Sequence, residues 1–201
     1  MQMRAARMYG YREPLRIEEV PVPEPGPDEI LLKVAATGMC RSDYQLLDGY
    51  FKAPFPVEFP YIPGHEVTGR VAGLGSAVPA TVGYSEGDMV VVNPSWGDGT
   101  CRQCREGNEH LCSGNGRWVG FGPPGGFAEY MGVECRHAIP VSEDYLGSFW
   151  GNHLDLVEVL SLAEAGLVKH NVTKVKLEDI NENLETLGRG DIVGRQVIVF
   201  E

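Results

Sequence analysis

A mainly β domain with peripheral helices (α+β) is the fold class this sequence predicts, and three observations carry the prediction. Its 201 residues include 26 glycines and 14 prolines, and such a density of turn formers suits many short strands and interrupts long helices. Short apolar and β-branched runs recur between those turn formers through residues 1–145, the pattern of half-buried strands. Beyond Gly147 the apolar residues fall at helical spacing instead.

Taken in order, residues 21–29 (PVPEPGPDE) are too rich in proline for a helix or a central strand and are expected to form an extended edge segment. Residues 30–34, 67–74, 89–93 and 127–131 are apolar or β-branched runs bounded by turn formers, and each predicts a strand. Residues 152–165 place Leu156, Leu160 and Ala163 on one helical face, and Leu177, Ile180, Leu184 and Leu187 repeat the spacing. Gly166 and Gly188 stand where these two helices are expected to end. A short strand between them and a last strand over 196–200 complete the order. Neither internal repeats nor low-complexity tracts interrupt it.

With 43% hydrophobic and 22% charged residues the chain can bury one good-sized core. Its net charge of −11 argues against a nucleic-acid partner, because phosphate binding needs clustered Lys and Arg. No apolar run approaches the roughly 20 residues that span a bilayer, and the opening MQMRAARMYGYREP has no signal-peptide core. Five cysteines without a secretion signal point to metal ligation rather than disulfides, and so to a cytoplasmic protein.

A doubly wound nucleotide domain needs about 130–150 residues of alternating strand and helix, and no such stretch is present. One GxGxxG match occurs at Gly120, Gly122 and Gly125. Its spacer is Pro123-Pro124, no helical pattern follows it, and no acidic residue stands at the expected distance. It reads as a rigid turn.

The strongest local signal is Asp98-x2-Cys101-x2-Cys104-x7-Cys112. A CxxC turn brings two thiolates to one face, a third Cys on the loop's return adds another, and a carboxylate can complete a zinc tetrahedron. A redox CxxC would open a helix beside a strand, whereas this one lies in a polar, glycine-rich loop. His110 is a rival for the fourth ligand by position. Two further segments, Gly38-Met39-Cys40-Arg41-Ser42-Asp43 and Pro63-Gly64-His65-Glu66, supply a thiolate, an imidazole and two carboxylates. That is an incomplete set for a catalytic zinc, which takes three protein ligands and leaves one position open. Ser42 could relay a proton beside such a metal, and Asp43 could hold the imidazole in its ligating tautomer.

GMCRSD, PGHEVTGRV, D-x2-C-x2-C-x7-C and GGFAEYM, in this order, resemble the zinc-dependent medium-chain alcohol dehydrogenases over nearly the whole chain. The tail, from GNHLDLVEVL to GRQVIVF, is similar to that family's C-terminal segment. The resemblance implies a GroES-like barrel catalytic domain and hydride transfer between NAD or NADP and a small-molecule alcohol or carbonyl compound. It also implies one structural and one catalytic zinc, and a homo-oligomer in the intact family. Residue by residue, it implies that Cys40 and His65 ligate the catalytic zinc, with Glu66 in or just behind the ligand shell. Ser42 would hydrogen-bond the alcohol oxygen and Asp43 orient His65. Arg41 would reach the cofactor pyrophosphate, its other reading being a surface arginine. Trp96, Tyr44 and Phe51 would line the substrate pocket, whereas His137 and Cys135 match no motif.

The sequence also departs from the family. The single catalytic domain is expected from residues 1–145 and 147–201, and the family's nucleotide-binding Rossmann domain is missing at a junction near 144–147. With it goes the catalytic zinc's third protein ligand. Asp98 replaces the usual first cysteine of the thiol loop, and Gln45 stands where some members carry the histidine that ends the proton relay. The competing reading is a truncated, non-catalytic zinc-binding GroES-like module, and metal counting separates the two.

Overall fold

The computed structural model describes residues 1–114, 116–141, 153–169 and 171–200. It opens with an antiparallel hairpin, β1 (Gln2–Arg7) and β2 (Arg16–Pro21), paired from Gln2↔Pro21 to Arg7↔Arg16. The segment expected as an extended edge begins as one, with Pro21 closing β2 and Val22 N–H donating to the Met1 carbonyl at 3.1 Å, and then turns. Its prolines offer no N–H to a ladder, and the chain turns back, with Gly26 N–H donating to the Glu29 carboxylate at 2.8 Å and Glu29 N–H to the Gly26 carbonyl at 3.1 Å.

Strand β3 (Glu29–Gly38) organises the sheet. Ile30, Leu32, Val34 and Ala36 point inward at the period of two that a pleated strand imposes. One edge of β3 pairs antiparallel with β4 (Glu66–Leu74) from Ile30↔Leu74 to Gly38↔Glu66. Register shifts at Leu31/Leu32 and Val34/Ala36 bend the pair. β4 pairs with β5 (Met89–Val92), and a two-residue ribbon of β6 (Ser95–Trp96) and β7 (Arg117–Trp118) stands apart from the main sheet. The other edge of β3 is shared: its first half pairs with β8 (Tyr130–Glu134), and its last residues with the final strand. β5 carries β9 (Ala138–Pro140). A short β10 (Val172–Val175) lies parallel to the last strand, β11 (Arg195–Val199).

The runs at 30–34, 67–74 and 89–93 thus fall in β3, β4 and β5. The run at 127–131 changes partner partway. Phe127 and Glu129 bond to Ala6 and Arg4 of β1, and from Tyr130 the chain pairs with β3.

Four helices pack around the sheet among the described residues. α1 (Arg41–Asp48) and the single turn α2 (Arg102–Arg105) are additions to the sequence reading, and α3 (His153–Glu164) and α4 (Ile180–Arg189) are the two expected helices. Leu156 and Leu160 of α3 bury against Val91 and Ile139. Ile180 and Leu184 of α4 join Met8, Leu46, Phe127 and Ile198 in one apolar cluster, and a second cluster fills the sheet around Leu32, Val67 and Val92. The expected stop at Gly188 is corrected: α4 runs on to Arg189, and Gly190 at φ 83° ends it. Gly188 serves packing instead, because a Cβ there would stand 2.5 Å from the Tyr44 ring. The junction expected near 144–147 lies outside the described residues. Among those described, no helix is long and apolar enough to cross a membrane.

Candidate metal centres

Cys40, His65 and Glu66 are 26 residues apart in sequence at their furthest, and the register of β3 on β4 closes that gap. Gly38 at the end of β3 faces Glu66 at the start of β4. Cys40 follows just beyond Gly38, and His65 just precedes Glu66. One ligand atom from each of the three lies within 4.8 Å of the others. Gly38 makes the arrangement possible, since a Cβ there would sit 2.1 Å from Glu66 Oε2.

Helix α1 begins on the same residues. Cys40 is its N-cap, and Cys40 N–H donates to Asp43 Oδ2 at 2.9 Å. The other Asp43 oxygen meets His65 Nδ1 at 3.1 Å. One buried carboxylate therefore caps a helix and orients an imidazole. With Nδ1–H donating to Asp43, Nε2 is the nitrogen left to ligate. Ser42 Oγ lies 3.3 Å from that Nε2.

Burial disfavours a charged His65, but the Asp43 carboxylate and the Cys40 thiolate outweigh it and hold the imidazole up at about 10. Burial likewise opposes the Cys40 thiolate, and hydrogen bonds from His65 and Ser42 bring its pKa below that of a free thiol. Burial raises the Glu66 carboxyl against the pull of Arg195, whose Nη1 lies 3.3 Å from Glu66 Oε1. The donor set is compact, mostly buried and rich in negative charge, which suits a divalent cation.

The second centre is the thiol loop. Ligand atoms of Asp98, Cys101, Cys104 and Cys112 all lie within 4.8 Å of one another. Cys101 Sγ is 3.5 Å from Cys104 Sγ and 3.9 Å from Cys112 Sγ, and Cys104 Sγ is 3.5 Å from Asp98 Oδ1. A tetrahedron built on Zn–S bonds of about 2.3 Å has edges of about 3.8 Å, so these spacings fit a zinc ion. All five cysteines are free thiols. Backbone N–H groups of Cys104 and Ser113 hold the Cys101 thiol down at about 6, whereas burial and the neighbouring Cys101 push Cys104 up to about 12. Crowded thiolates repel one another, and a cation among them relieves that repulsion. Asp98 Oδ1 also accepts from Thr100 N–H at 2.8 Å and Cys101 N–H at 3.2 Å, so the residue is a turn former as well. His110 is not among the converging ligands.

The expected pocket residues separate. Trp96 is buried, donates from Nε1 to the Asn93 carbonyl at 2.8 Å, and stacks on His137 at 5.3 Å with 4° between the rings. It belongs to the sheet's core cluster. Tyr44 packs on Gly188 of α4. Phe51 does stand near the first centre, with its ring 5.3 Å from Phe121, whose own ring is 5.4 Å from His65. Arg41 is exposed at the start of α1. Sequence reasoning passed over Phe55, Trp118, Phe121 and Arg195, which come from segments that only the fold brings together.

Comparison with known proteins adds a family. Residues 26–143 match the model of the alcohol dehydrogenase GroES-like domain. An NAD-dependent alcohol dehydrogenase of Sulfurisphaera tokodaii is 34% identical over 201 residues, covering 98% of this chain and 54% of that protein. A D-arabinose 1-dehydrogenase (NADP(+)) of Saccharolobus solfataricus is 35% identical over 185 residues, covering 92% and 49%. The chain thus spans about half the length of the curated relatives it matches. The crystal structure of an alcohol dehydrogenase from Aeropyrum pernix superposes with a TM-score of 0.88 at 21% identity, covering 98% of this chain and 100% of that one. An acetophenone reductase from Geotrichum candidum, solved in complex with NAD, gives 0.86 at 21% identity, covering 99% and 97%. At such identity the likeness is one of fold: the mainly β, GroES-like arrangement.

Proposed function

Because the chain belongs to the medium-chain zinc alcohol dehydrogenase family, we propose that it is the zinc-carrying catalytic domain of an NAD(P)-dependent oxidoreductase acting on a small alcohol or carbonyl compound. The convergence of Cys40, His65 and Glu66 with the Asp43–His65 pair carries this reading. Cys40 Sγ, His65 Nε2 and Glu66 would hold a catalytic zinc, and Asp98, Cys101, Cys104 and Cys112 a structural one. A catalytic zinc supplies Lewis acidity, which polarises a carbonyl oxygen and favours the alkoxide of a bound alcohol.

The residues around that centre have separable tasks. Asp43 accepts from Nδ1–H and fixes the His65 tautomer and ring angle. The Ser42 hydroxyl, beside Nε2, is placed to take a proton from a substrate hydroxyl. Gln45 has no titratable group to receive that proton, which would have to leave through water or the cofactor ribose. Arg195 offsets part of the charge of Glu66.

The nicotinamide cofactor is a different matter. Among the described residues the strand order is that of an antiparallel sheet with one parallel pair, β10–β11, and no doubly wound unit is present to hold a dinucleotide. Hydride transfer therefore belongs to a longer protein or a second component. The same observation favours the other reading, a zinc-binding GroES-like module without turnover of its own.

Zinc counting tests the proposal. Two zinc ions per chain by elemental analysis, falling to one in His65→Ala, support the catalytic domain. One zinc in the parent chain, unaffected by His65→Ala, would falsify it and leave the structural module. Calorimetric titration of the zinc-loaded chain with NADH then shows whether this chain meets cofactor by itself.

A further inference from the structure

We propose that Tyr61 is a positioning residue for the Cys40–His65–Glu66 centre, acting through the turn that carries Gly120, Gly122 and Gly125. The inference rests on the metal centre proposed above and concerns the one motif that reading left without a task.

The turn is laid directly on the segment that delivers His65. Gly125 N–H donates to the Ile62 carbonyl at 2.7 Å, Gly126 N–H to Gly64 at 2.8 Å, and Phe127 N–H to Pro63 at 3.0 Å. Two of the three motif glycines are required by that approach. A Cβ on Gly120 would stand 2.8 Å from the Gly64 carbonyl oxygen, and one on Gly125 would stand 2.0 Å from it. A Cβ on Gly122 would meet nothing within 4 Å. The spacing thus allows a close approach of backbone to backbone, and the middle glycine is dispensable.

Tyr61 closes the far side of the turn. Its side chain is buried, its hydroxyl donates to the Pro123 carbonyl at 3.2 Å, and the same oxygen accepts from Gly122 N–H at 3.0 Å. Its backbone is fixed in turn, exchanging hydrogen bonds of 2.7 and 2.9 Å with Met8. Between these anchors lies Phe121, held by its own N–H to the Trp118 carbonyl at 2.9 Å. The Phe121 ring lies 5.4 Å from that of His65, and Phe51, Phe55 and Trp118 stand at 5.3, 5.9 and 6.4 Å from it. Tyr61 thereby fixes both neighbours of His65: the Pro63–Gly64 backbone before it and the Phe121 ring against it. A phenol hydroxyl that donates to one strand of a turn and accepts from the next sets the turn's height, which a phenyl ring of the same shape cannot do.

The test is Tyr61→Phe in the full chain, with the ring protons of His65 followed by NMR in the diamagnetic zinc-loaded chain and cobalt(II) used as probe ion in separate samples for the visible spectrum and the affinity. In the parent chain the Phe121 ring, 5.4 Å from that of His65, is expected to shift the His65 ring protons from their free-histidine values. In Y61F that shift is expected to move toward the free-histidine value, and the visible spectrum of cobalt at this centre to change. Affinity there should fall about 10- to 100-fold, the range for partners lying behind metal ligands, with the thiol loop still loaded. A Y61F chain that melts lower but keeps the His65 resonance, the cobalt spectrum and the affinity would show a purely structural tyrosine and overturn the inference. Should Y61F fail to fold, Gly125→Ala against Gly122→Ala asks the same question. Only the former is expected to disturb the His65 resonance, and equal effects of the two refute the clamp. A parent chain that loads a single zinc overturns the metal centre itself, and this inference with it.

Discussion

Replacing Asp98 separates its two tasks, zinc ligand and turn former: the same Oδ1 faces Cys104 and accepts the turn's N–H groups, but the turn needs only an acceptor whereas an ion needs the charge. Asp98→Asn keeps an oxygen able to accept from Thr100 and Cys101 N–H, now at 2.8 and 3.2 Å, and removes the charge. Asp98→Ala removes both. Each lost N–H acceptor costs about 0.5–1.5 kcal/mol, so the alanine chain should lose about 1–3 kcal/mol that the asparagine chain keeps. For zinc, even partners behind the ligands are worth about 10–100-fold in affinity, so loss of a charged ligand should cost at least about 100-fold in both variants. Asp98→Cys restores an anionic donor and should recover tight binding while losing the turn. Competition against a chromophoric chelator at buffered free zinc reads the affinities, and urea unfolding of the zinc-loaded chains reads the stabilities. Asn and parent chains of equal zinc affinity, with a stability loss confined to Ala, would establish Asp98 as a turn residue and leave the thiol loop with three protein ligands.

Three further outcomes follow from the geometry. Gly38→Ala places a Cβ 2.1 Å from Glu66 Oε2, so the carboxylate must swing away; elemental analysis should show the second zinc lost or weakened while the thiol loop stays loaded. Asn181 of α4 accepts from Leu15 N–H at 2.8 Å and donates to its carbonyl at 2.9 Å. Asn181→Ala strands both groups of a buried residue and should cost about 2–4 kcal/mol in urea unfolding, whereas a change below about 0.5 kcal/mol would mean that water replaces the amide. In the metal-stripped chain His65 is raised from 6.5 to about 10, so its contribution to stability is complete below about pH 6.5 and lost as the pH rises through about 10. His65→Gln should flatten that part of the profile, and an unchanged profile would place the dependence elsewhere.

What could be read in the sequence was what lies close along the chain or repeats with a clear period. Strands β3, β4 and β5 are buried β-branched runs closed off by turn formers, so pattern and tertiary environment agree. The thiol loop is local by construction, its four candidate ligands falling within 15 residues of one another. Hairpin β1–β2 was hidden because QMRAAR and RIEEVP hold few β-branched residues and break the alternation at Ala5-Ala6 and Glu18-Glu19, and α1 because eight residues hold barely two helical turns. The aromatic residues failed for a different reason. Sequence shows that Trp96 lies beside a ligand loop but not which way a two-residue strand turns it, and β6 turns it onto His137 in the core. Phe121 reaches His65, with Phe55 and Trp118 packed behind it, and no spacing announces that.

The GxGxxG match shows where a motif's physics outlasts its usual meaning. Glycines at that spacing signal that something must approach the backbone more closely than a Cβ permits. In a nucleotide domain that partner is a pyrophosphate. In this chain it is the backbone of Gly64, for Gly120 and Gly125, and nothing at all for Gly122. The glycines alone report close approach, and the residues around them decide to what: a helix N-terminus would offer N–H groups to an anion, whereas here Pro123-Pro124 have no N–H to offer, and Gly125, Gly126 and Phe127 give theirs to the carbonyls of Ile62, Gly64 and Pro63. The glycines found here therefore bear on how firmly His65 is held.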